Sequence, residues 1–295
     1  MKELRNLLKL LRARQWVKNT LVFAAIIFSQ RFNDLHAWWV SLLAFFAFSL
    51  AASSVYIIND FFDVEQDRLH PVKKLRPLAA RTVSPPVALV VAALLFAASL
   101  FISRSVLPDT VWLLAGYVLA MILYSIGLKH VLLLDVFIVA GGLVMRAIYG
   151  AVMLQVAISE WLLICAFLIS LVLAMVKRRQ ELLRGEGEDE EKIRKSLRNA
   201  PPVAVWDHWI SAMAGITGLA YILYTVDPRT IAHVGSNHLL YTVPFVLYAL
   251  LRYLAGVQVN EGGEDPTLEL LKDRGIIVTV LAWLAVVLLV LQGIL

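Results

Sequence analysis

The strongest constraint in this sequence is a series of apolar blocks, each about 20 residues long, separated by short polar segments. A helix of about 20 residues crosses the roughly 30 Å hydrocarbon core of a bilayer. Membrane β-barrels would show shorter segments with alternating polarity. With 60% hydrophobic and only 17% charged residues, the composition is also unlike that of a soluble domain. The sequence therefore predicts an all-α integral membrane protein.

Stretches that are nearly free of charged residues predict nine transmembrane helices in a single domain over residues 1–295. Basic residues alternate with leucines at the N-terminus, so we expect residues 1–16 to form an amphipathic helix at the membrane surface. The segments 59–83 and 177–202 are predicted to be cytoplasmic active-site loops. The predicted spans are about 17–30, 37–58, 84–103, 110–128, 132–154, 161–176, 203–225, 238–255 and 276–295.

The distribution of basic residues predicts the orientation of the chain. If the N-terminus lies in the cytoplasm, the inner segments hold 23 of the 27 Lys and Arg residues. Positively charged segments stay in the cytoplasm, so we expect the N-terminus inside and the C-terminus outside. Most carboxylates fall on the same side, which this rule does not require. Cations and carboxylates on the same side suggest a site that binds phosphates together with a divalent metal. A protein that binds nucleic acid would instead need a basic face with few acidic residues.

A cluster of acidic residues follows the second predicted span. On a helix, Asn59, Asp60, Asp63 and Asp67 fall within about 100° of one another, while Glu65 points away. Carboxylates this close repel each other unless a cation joins them. Hard oxygen ligands, completed by substrate phosphate, describe a Mg²⁺ site. The alternative is a solvated acidic helix end.

The segment behind this motif is short, basic and interrupted by two prolines, which end a helix. Its side chains could clamp a phosphorylated substrate over the metal, or could anchor the chain to anionic lipid. We favour a catalytic role for Lys73 and Arg76.

A second charged group lies where the sixth predicted span ends. Lys177 and Glu181 share one helical stripe, and Arg178 flanks it. A run of basic residues is also a common signal for a cytoplasmic segment. That alternative does not explain the acid four residues after Lys177.

Ionisable residues within spans face the bundle interior or a wet cavity. Asp135 and Arg146 lie about 20° apart around the fifth predicted span, with Lys129 just before it. Asp135 could also form a purely structural pair with a cation. Lys18, at the start of the first span, could snorkel to the headgroups or meet a phosphate.

The acidic motif resembles that of the UbiA superfamily of intramembrane prenyltransferases, whose first aspartate-rich motif reads N-D-x-x-D-x-x-x-D. Residues 59–67 match it fully, and the predicted nine-helix count also agrees. The superfamily usually carries a second aspartate-rich motif after the sixth helix. This sequence has Lys-Arg-Arg-Gln-Glu at 177–181 instead.

That departure, together with residues 15–19, 76–79 and 127–130, looks like one branch, the decaprenyl-phosphate phosphoribosyltransferases. The resemblance implies transfer of a 5-phosphoribosyl group from phosphoribosyl pyrophosphate to a polyprenyl phosphate in the bacterial cytoplasmic membrane, at a site that faces the cytoplasm. It also implies a product used for lipid-linked arabinose and cell-wall glycan. A homo-oligomer is possible.

We assign roles to the candidate residues within this hypothesis. Asp60, Asp63 and Asp67, with Asn59, would hold Mg²⁺ and the leaving pyrophosphate, and Lys73 and Arg76 would cover it. Lys177 and Arg178 would take the 5-phosphate, while Glu181 would contact Lys177, a ribose hydroxyl or metal. The candidates for the lipid phosphate are Lys18, Lys129 and Arg146.

Two rival hypotheses remain open at this point. A prenyltransferase that acts on an aromatic or haem-like acceptor needs the same first motif, but should carry more acid near residue 181. A transporter could use Asp135 and Arg146 as an ion path, but this leaves the stacked acids at 60, 63 and 67 unexplained. A purely structural scaffold explains them less well still.

Overall fold

The computed structural model describes residues 8–70, 72–157, 159–185, 197, 200–259 and 272–295. All regular secondary structure in these residues is helical, which confirms the predicted all-α class. The chain divides into two compact units, Met1–Ile158 and Ser159–Leu295. The single domain predicted over residues 1–295 stays a prediction.

The N-terminal unit is built around one long helix, which packs against three other long helices and the first 3-10 helix. The 3-10 helices are Ala13–Phe23, Lys73–Leu75 and Leu128–His130. The α-helices are α1 (Ala24–Phe28), α2 (Leu35–Phe62), α3 (Val64–Leu69), α4 (Pro85–Val106), α5 (Thr110–Ile126) and α6 (Leu134–Leu154). The central helix is α2, and α4, α5 and α6 are its partners.

The C-terminal unit has a 3-10 helix at His238–Thr242 and several α-helices, of which Pro228–Val234 is short. These α-helices are α7 (Glu160–Gly185), α8 (Val203–Val226), α9 (Pro228–Val234), α10 (Val243–Val259) and α11 (Arg274–Leu291). Helix α8 packs against α7 and α10, and α10 packs against α11.

Within the described residues, seven helices are long and apolar enough to cross a membrane. They coincide with seven of the nine predicted spans, and α5, with 17 residues, is a shorter apolar helix at the predicted span 110–128. The molecule is therefore a multi-pass membrane protein. The full count of nine spans and the orientation of the termini stay predictions.

The first predicted span, 17–30, is not an ordinary α-helix. Its main part is the 3-10 helix Ala13–Phe23, with 11 residues, followed by α1 with 5 residues. A 3-10 helix rises about 2.0 Å per residue and an α-helix about 1.5 Å, so the two segments together rise roughly 30 Å. This short stretch is therefore as long as the hydrocarbon core is thick.

The predicted boundaries of the surface segments need correction. Residues 1–7 of the predicted amphipathic helix lie outside the described residues, and the helix present at 8–11 ends at Arg12, whose backbone is left-handed. Residues 177–185 continue α7 rather than forming a loop. The segment 59–83 contains the end of α2, helix α3 and the 3-10 helix Lys73–Leu75.

The N-terminal 3-10 helix makes a close backbone contact with α6. A Cβ atom added at Gly150 would lie 2.2 Å from the carbonyl oxygen of Val22. No real side chain tolerates that separation, so glycine is what permits this approach.

Candidate active site

The acidic motif lies at the C-terminal end of α2 and continues into α3. The backbone N–H of Asp63 donates to the carbonyl of Asn59 (3.0 Å), and that of Asp67 donates to the carbonyl of Asp63 (2.8 Å). Because these bonds keep the helical repeat, the motif side chains stay on one face. Asp60 and Asp67 are buried, whereas Glu65 is exposed and pairs with Arg68 at 2.6 Å.

Two arginines bind the buried carboxylates of this motif. Arg12 Nη2 donates to Asp60 Oδ1. Arg76 Nη1 donates to Asp60 Oδ1 at 3.1 Å and to Asp67 Oδ2 at 2.6 Å, so one nitrogen bridges two acids. Burial raises the pKa of Asp67, and the charge of Arg76 acts in the opposite direction. The cations thus offset the repulsion expected between neighbouring carboxylates.

Asp63 has a different set of partners. Lys129 Nζ, from the 3-10 helix Leu128–His130, donates to Asp63 Oδ1, and Asn59 Nδ2 donates to Asp63 Oδ2 at 2.9 Å. Ser125 Oγ in turn donates to Asn59 Oδ1 at 3.1 Å. Each motif carboxylate therefore contacts at least one cationic side chain.

Asp60 and Asp67 fit a divalent metal. Their oxygens converge on one cationic nitrogen of Arg76, so the two carboxylates could together hold a divalent cation. Mg²⁺ commonly takes one or two carboxylates and completes its shell with water and substrate phosphate. No set of three His, Cys, Asp or Glu side chains is gathered for a metal among the described residues. That all three motif aspartates are metal ligands stays a prediction.

Lys73 and Lys18 lie in the same unit as the motif. The charge of Lys73 contributes to the electrostatic environment of Asp67, though less than that of Arg76. Lys73 and Lys18 are both half-buried, Lys73 in the short 3-10 helix after α3 and Lys18 in the N-terminal one. Their phosphate-binding roles stay predictions.

Arg146 lies well away from the acidic motif. It is buried, donates through Nε to Asn19 Oδ1 at 2.7 Å, and donates through Nη1 to the carbonyl of Gly142. Its guanidinium lies 5.0 Å from the centre of the Phe48 ring. Asn19 also binds Ser49 on α2. Ser49 lies about 16 Å along that helix from Asp60, the first aspartate of the motif. The observed contacts of Arg146 hold the 3-10 helix against α6.

Asp135, which the sequence places on the same stripe as Arg146, is buried in the first turn of α6. The two side chains are about 16 Å apart along that helix. They therefore do not pair directly with each other.

In the C-terminal unit, the predicted basic group lies on α7. Arg178 Nη1 donates to Glu181 Oε2 at 2.6 Å, and the Arg178 side chain is buried. The negative charge of Glu181 is thus offset by a neighbouring arginine. Lys177 is half-buried on the preceding position of the same helix.

Sequence reasoning missed Arg179 and its partners. Its guanidinium forms two bonds to the carboxylate of Asp207, one through Nε and one through Nη2 at 3.4 Å. Nη1 donates to the carbonyl of Val257 at 3.3 Å. Arg179 therefore joins α7, α8 and α10. A basic run at a helix end gives no signal of such distant partners.

We expect Arg179→Gln to lower the free energy of unfolding by about 2 kcal/mol, because it leaves the Asp207 carboxylate without its partner. Asp207 is one third exposed, so water limits the effect. Adding Asp207→Asn should recover part of the loss. The control is Arg229→Gln, whose ion pair to Glu160 is exposed. Thermal unfolding in detergent measures all four proteins, and equal losses for Arg179→Gln and Arg229→Gln would contradict the assignment.

Sequence reasoning did not foresee that two further cations bind the acidic motif. Arg12 was grouped with residues at the membrane surface, and in the structure it binds Asp60. Lys129 is a candidate for the lipid phosphate, which stays a prediction, and in this structure its ammonium binds Asp63. The only available signal was their basic character, since the pairs are 48 and 66 residues apart in sequence.

Comparison with known proteins gives three consistent findings. The model of the UbiA prenyltransferase family matches residues 20–271. The chain is similar to decaprenyl-phosphate phosphoribosyltransferases of Mycolicibacterium smegmatis, at 38% identity with 96% of this chain and 91% of the relative covered, and of Corynebacterium glutamicum, at 35% with 94% and 84% covered. The fold is similar to that of a UbiA homologue from Archaeoglobus fulgidus bound to GPP and Mg²⁺, with a TM-score of 0.72, 17% identity, and 97% and 99% of the two chains covered.

Proposed function

This chain belongs to the UbiA prenyltransferase family, and we propose that it transfers the 5-phosphoribosyl group of phosphoribosyl pyrophosphate to a polyprenyl phosphate such as decaprenyl phosphate. The observation that carries this proposal is the 38% identity, over 96% of the chain, to a decaprenyl-phosphate phosphoribosyltransferase. The reaction releases pyrophosphate and depends on Mg²⁺. Its product serves lipid-linked arabinose and cell-wall glycan synthesis.

The proposal includes a location for the enzyme. Nine spans, with the N-terminus inside and the C-terminus outside, place the acidic motif at the cytoplasmic face of the bacterial cytoplasmic membrane. The positive-inside distribution of Lys and Arg supports this orientation. A donor that is soluble and highly charged is then accessible from the cytoplasm, while the polyprenyl tail stays in the bilayer.

The acidic motif is the proposed site for the diphosphate end of the donor. Asp60 and Asp67, whose oxygens already converge on one cation, would hold the metal together with Asp63 and Asn59. Bound Mg²⁺ supplies positive charge that stabilises the leaving pyrophosphate. Arg76 and Lys73 donate hydrogen bonds to the same diphosphate oxygens.

The basic group on α7 is the proposed site for the 5-phosphate. Lys177 and Arg178 supply the cations, and Glu181 orients Arg178, to which it is bound, or contacts a ribose hydroxyl. Phosphoribosyl pyrophosphate has one diphosphate and one separate phosphate. One acidic, metal-holding site and one basic site therefore match it better than two acidic sites.

The acceptor needs little activation. A phosphate oxygen of the lipid, already ionised near neutral pH, forms the new bond to the anomeric carbon. The bond from that carbon to the pyrophosphate oxygen breaks, and pyrophosphate leaves with the electron pair. Catalysis then consists mainly of positioning and of stabilising charge. Lys18, Lys129 and Arg146 are the proposed ligands of the lipid phosphate.

The alternative activity is transfer of a prenyl chain from its diphosphate to an aromatic or haem-like acceptor. Such an enzyme should hold a second acidic site near the end of α7. There Glu181 is bound to Arg178, whose positive charge offsets the negative charge of the carboxylate. This arrangement favours the phosphoribosyl donor.

Incubation of the purified protein with Mg²⁺, radiolabelled phosphoribosyl pyrophosphate and decaprenyl phosphate tests the proposal. We expect label to move into the organic phase, and we expect EDTA to stop the transfer because the diphosphate loses its metal. Label that stays aqueous, while a prenyl diphosphate and an aromatic acid react, would show that the alternative activity is the right one.

A further inference from the structure

The N-terminal 3-10 helix runs along α2 and is bound to it at three levels. Along this contact the residue numbers on α2 decrease as those on the 3-10 helix increase, so the two segments run antiparallel. Three side-chain hydrogen bonds join the two segments: Asn19 Nδ2 to Ser49 Oγ at 2.9 Å, Trp16 Nε1 to Ser53 Oγ at 3.0 Å, and Arg12 Nη2 to Asp60 Oδ1.

A 3-10 helix is longer than an α-helix with the same number of residues. Ser49 and Asp60 are eleven residues apart on α2, which is about 16 Å of α-helix. Arg12 and Asn19 are seven residues apart, which is about 14 Å of 3-10 helix but only about 10 Å of α-helix. An α-helix over the same seven residues would be about 4 Å shorter, so the 3-10 form moves Arg12 towards the acidic motif. The carbonyl of Leu11 accepts a hydrogen bond from Ser53 Oγ at 2.8 Å, so the backbone next to Arg12 lies near Ser53, and the Arg12 side chain extends from there to Asp60.

Arg12 lies at the junction of two helical segments. Its backbone is left-handed, at φ 50° and ψ 44°, a conformation that commonly ends a helix. Its guanidinium lies 5.2 Å from the centre of the Tyr56 ring, and its side chain remains 22% exposed, against 4% for Asp60. The Arg12 side chain thus binds the motif through Nη2 while part of it remains exposed.

We propose that Arg12 is a diphosphate-binding residue of this site, and that the 3-10 helix delivers it there. The inference rests on the proposed function, in which the acidic motif holds the diphosphate end of the donor. Arg12 donates to the phosphate oxygens with a planar fork, a geometry that lysine cannot reproduce. Trp16 and Asn19 are positioning residues, because they fix the 3-10 helix on α2 without lying at Asp60.

Binding of Mg²⁺ with pyrophosphate to the full-length protein in detergent, measured by isothermal titration calorimetry, tests this role directly. We expect Arg12→Asn to weaken binding at least about tenfold, because it removes charge-assisted hydrogen bonds. Asparagine adopts the left-handed conformation readily, so the backbone should be preserved. Arg12→Lys should bind with intermediate affinity. The control is Arg14→Asn, two residues away and exposed, which should bind as the wild type does.

Trp16→Phe tests the delivery by the 3-10 helix. It removes the bond to Ser53 but keeps an aromatic ring, though a smaller one, so we expect pyrophosphate to bind about threefold more weakly. The thermal midpoint should stay within a few degrees of that of the wild type, which separates positioning from general destabilisation.

The outcomes separate this inference from the proposed function. Equal pyrophosphate affinity for Arg12→Asn and Arg14→Asn would overturn the role of Arg12, even in a protein that uses phosphoribosyl pyrophosphate. No pyrophosphate binding by the wild type would also overturn it. The wild type could bind pyrophosphate tightly, lose that binding in Arg12→Asn, and still transfer nothing from phosphoribosyl pyrophosphate. That result would support the role of Arg12 and contradict the proposed donor.

Discussion

Asp60→Asn is expected to lower kcat for phosphoribosyl transfer by about 100- to 1,000-fold, the range seen when one preorganised charge-stabilising group is removed. Asp60 is buried and binds both Arg12 and Arg76. Asparagine has nearly the same shape but no charge, so it binds a divalent metal more weakly, leaves Arg12 without its carboxylate partner and leaves Arg76 with Asp67 alone. Initial rates at saturating substrate and Mg²⁺ measure the loss.

Glu65→Gln is the matched control for that experiment. Glu65 belongs to the same motif segment, but its side chain is 78% exposed and pairs only with Arg68 among its observed contacts. The same chemical change there should alter kcat by less than about twofold, since exposed ion pairs contribute little. Comparable losses in Asp60→Asn and Glu65→Gln would contradict the conclusion that one face of this helix carries the chemistry.

Gly150→Ala is expected to destabilise the protein by about 2 to 3 kcal/mol, a typical effect of overpacking a buried contact. The added methyl group would meet the Val22 carbonyl oxygen at 2.2 Å, and two backbones cannot separate without loss of their other contacts. The bond from Arg146 to Asn19 lies on the same helix pair and would also weaken. Thermal unfolding in detergent measures the effect.

Gly141→Ala, on the same helix α6, is the control for Gly150→Ala. A Cβ atom there would meet nothing within 4 Å, so the midpoint should stay unchanged or rise slightly, because alanine favours the helix. Opposite signs for the two variants are the expected result. Equal destabilisation would show that α6 tolerates no added volume at all, and that the contact with Val22 is not special.

Much of the fold could be predicted because the bilayer imposes a simple length rule. The seven long apolar helices coincide with predicted spans, as helix α2 (35–62) does with the predicted 37–58. The 3-10 helix at Ala13–Phe23 could not be predicted, because apolar and polar residues there fit either helix type. Its form depends on contacts with α2 and α6, such as the approach of Gly150 to Val22.

The candidate site could be predicted only where its chemistry is local in sequence. Asp60 and Asp67 share a face because the helical repeat places them there, and the structure keeps that repeat through Asp63. The cations that balance them come from distant segments. Arg12 and Lys129 reach the motif across 48 and 66 residues, and no periodicity in one sequence reveals such pairs.

The proposed function assigns the two ends of the donor to two different groups of residues, and a pair of binding titrations tests this assignment. Mg²⁺ with pyrophosphate represents one end, and ribose 5-phosphate represents the other. We predict that Asp60→Asn loses affinity for pyrophosphate but keeps that for ribose 5-phosphate, whereas Lys177→Met shows the reverse. If each variant loses both ligands equally, or neither variant loses either, the two sites do not divide the donor between them.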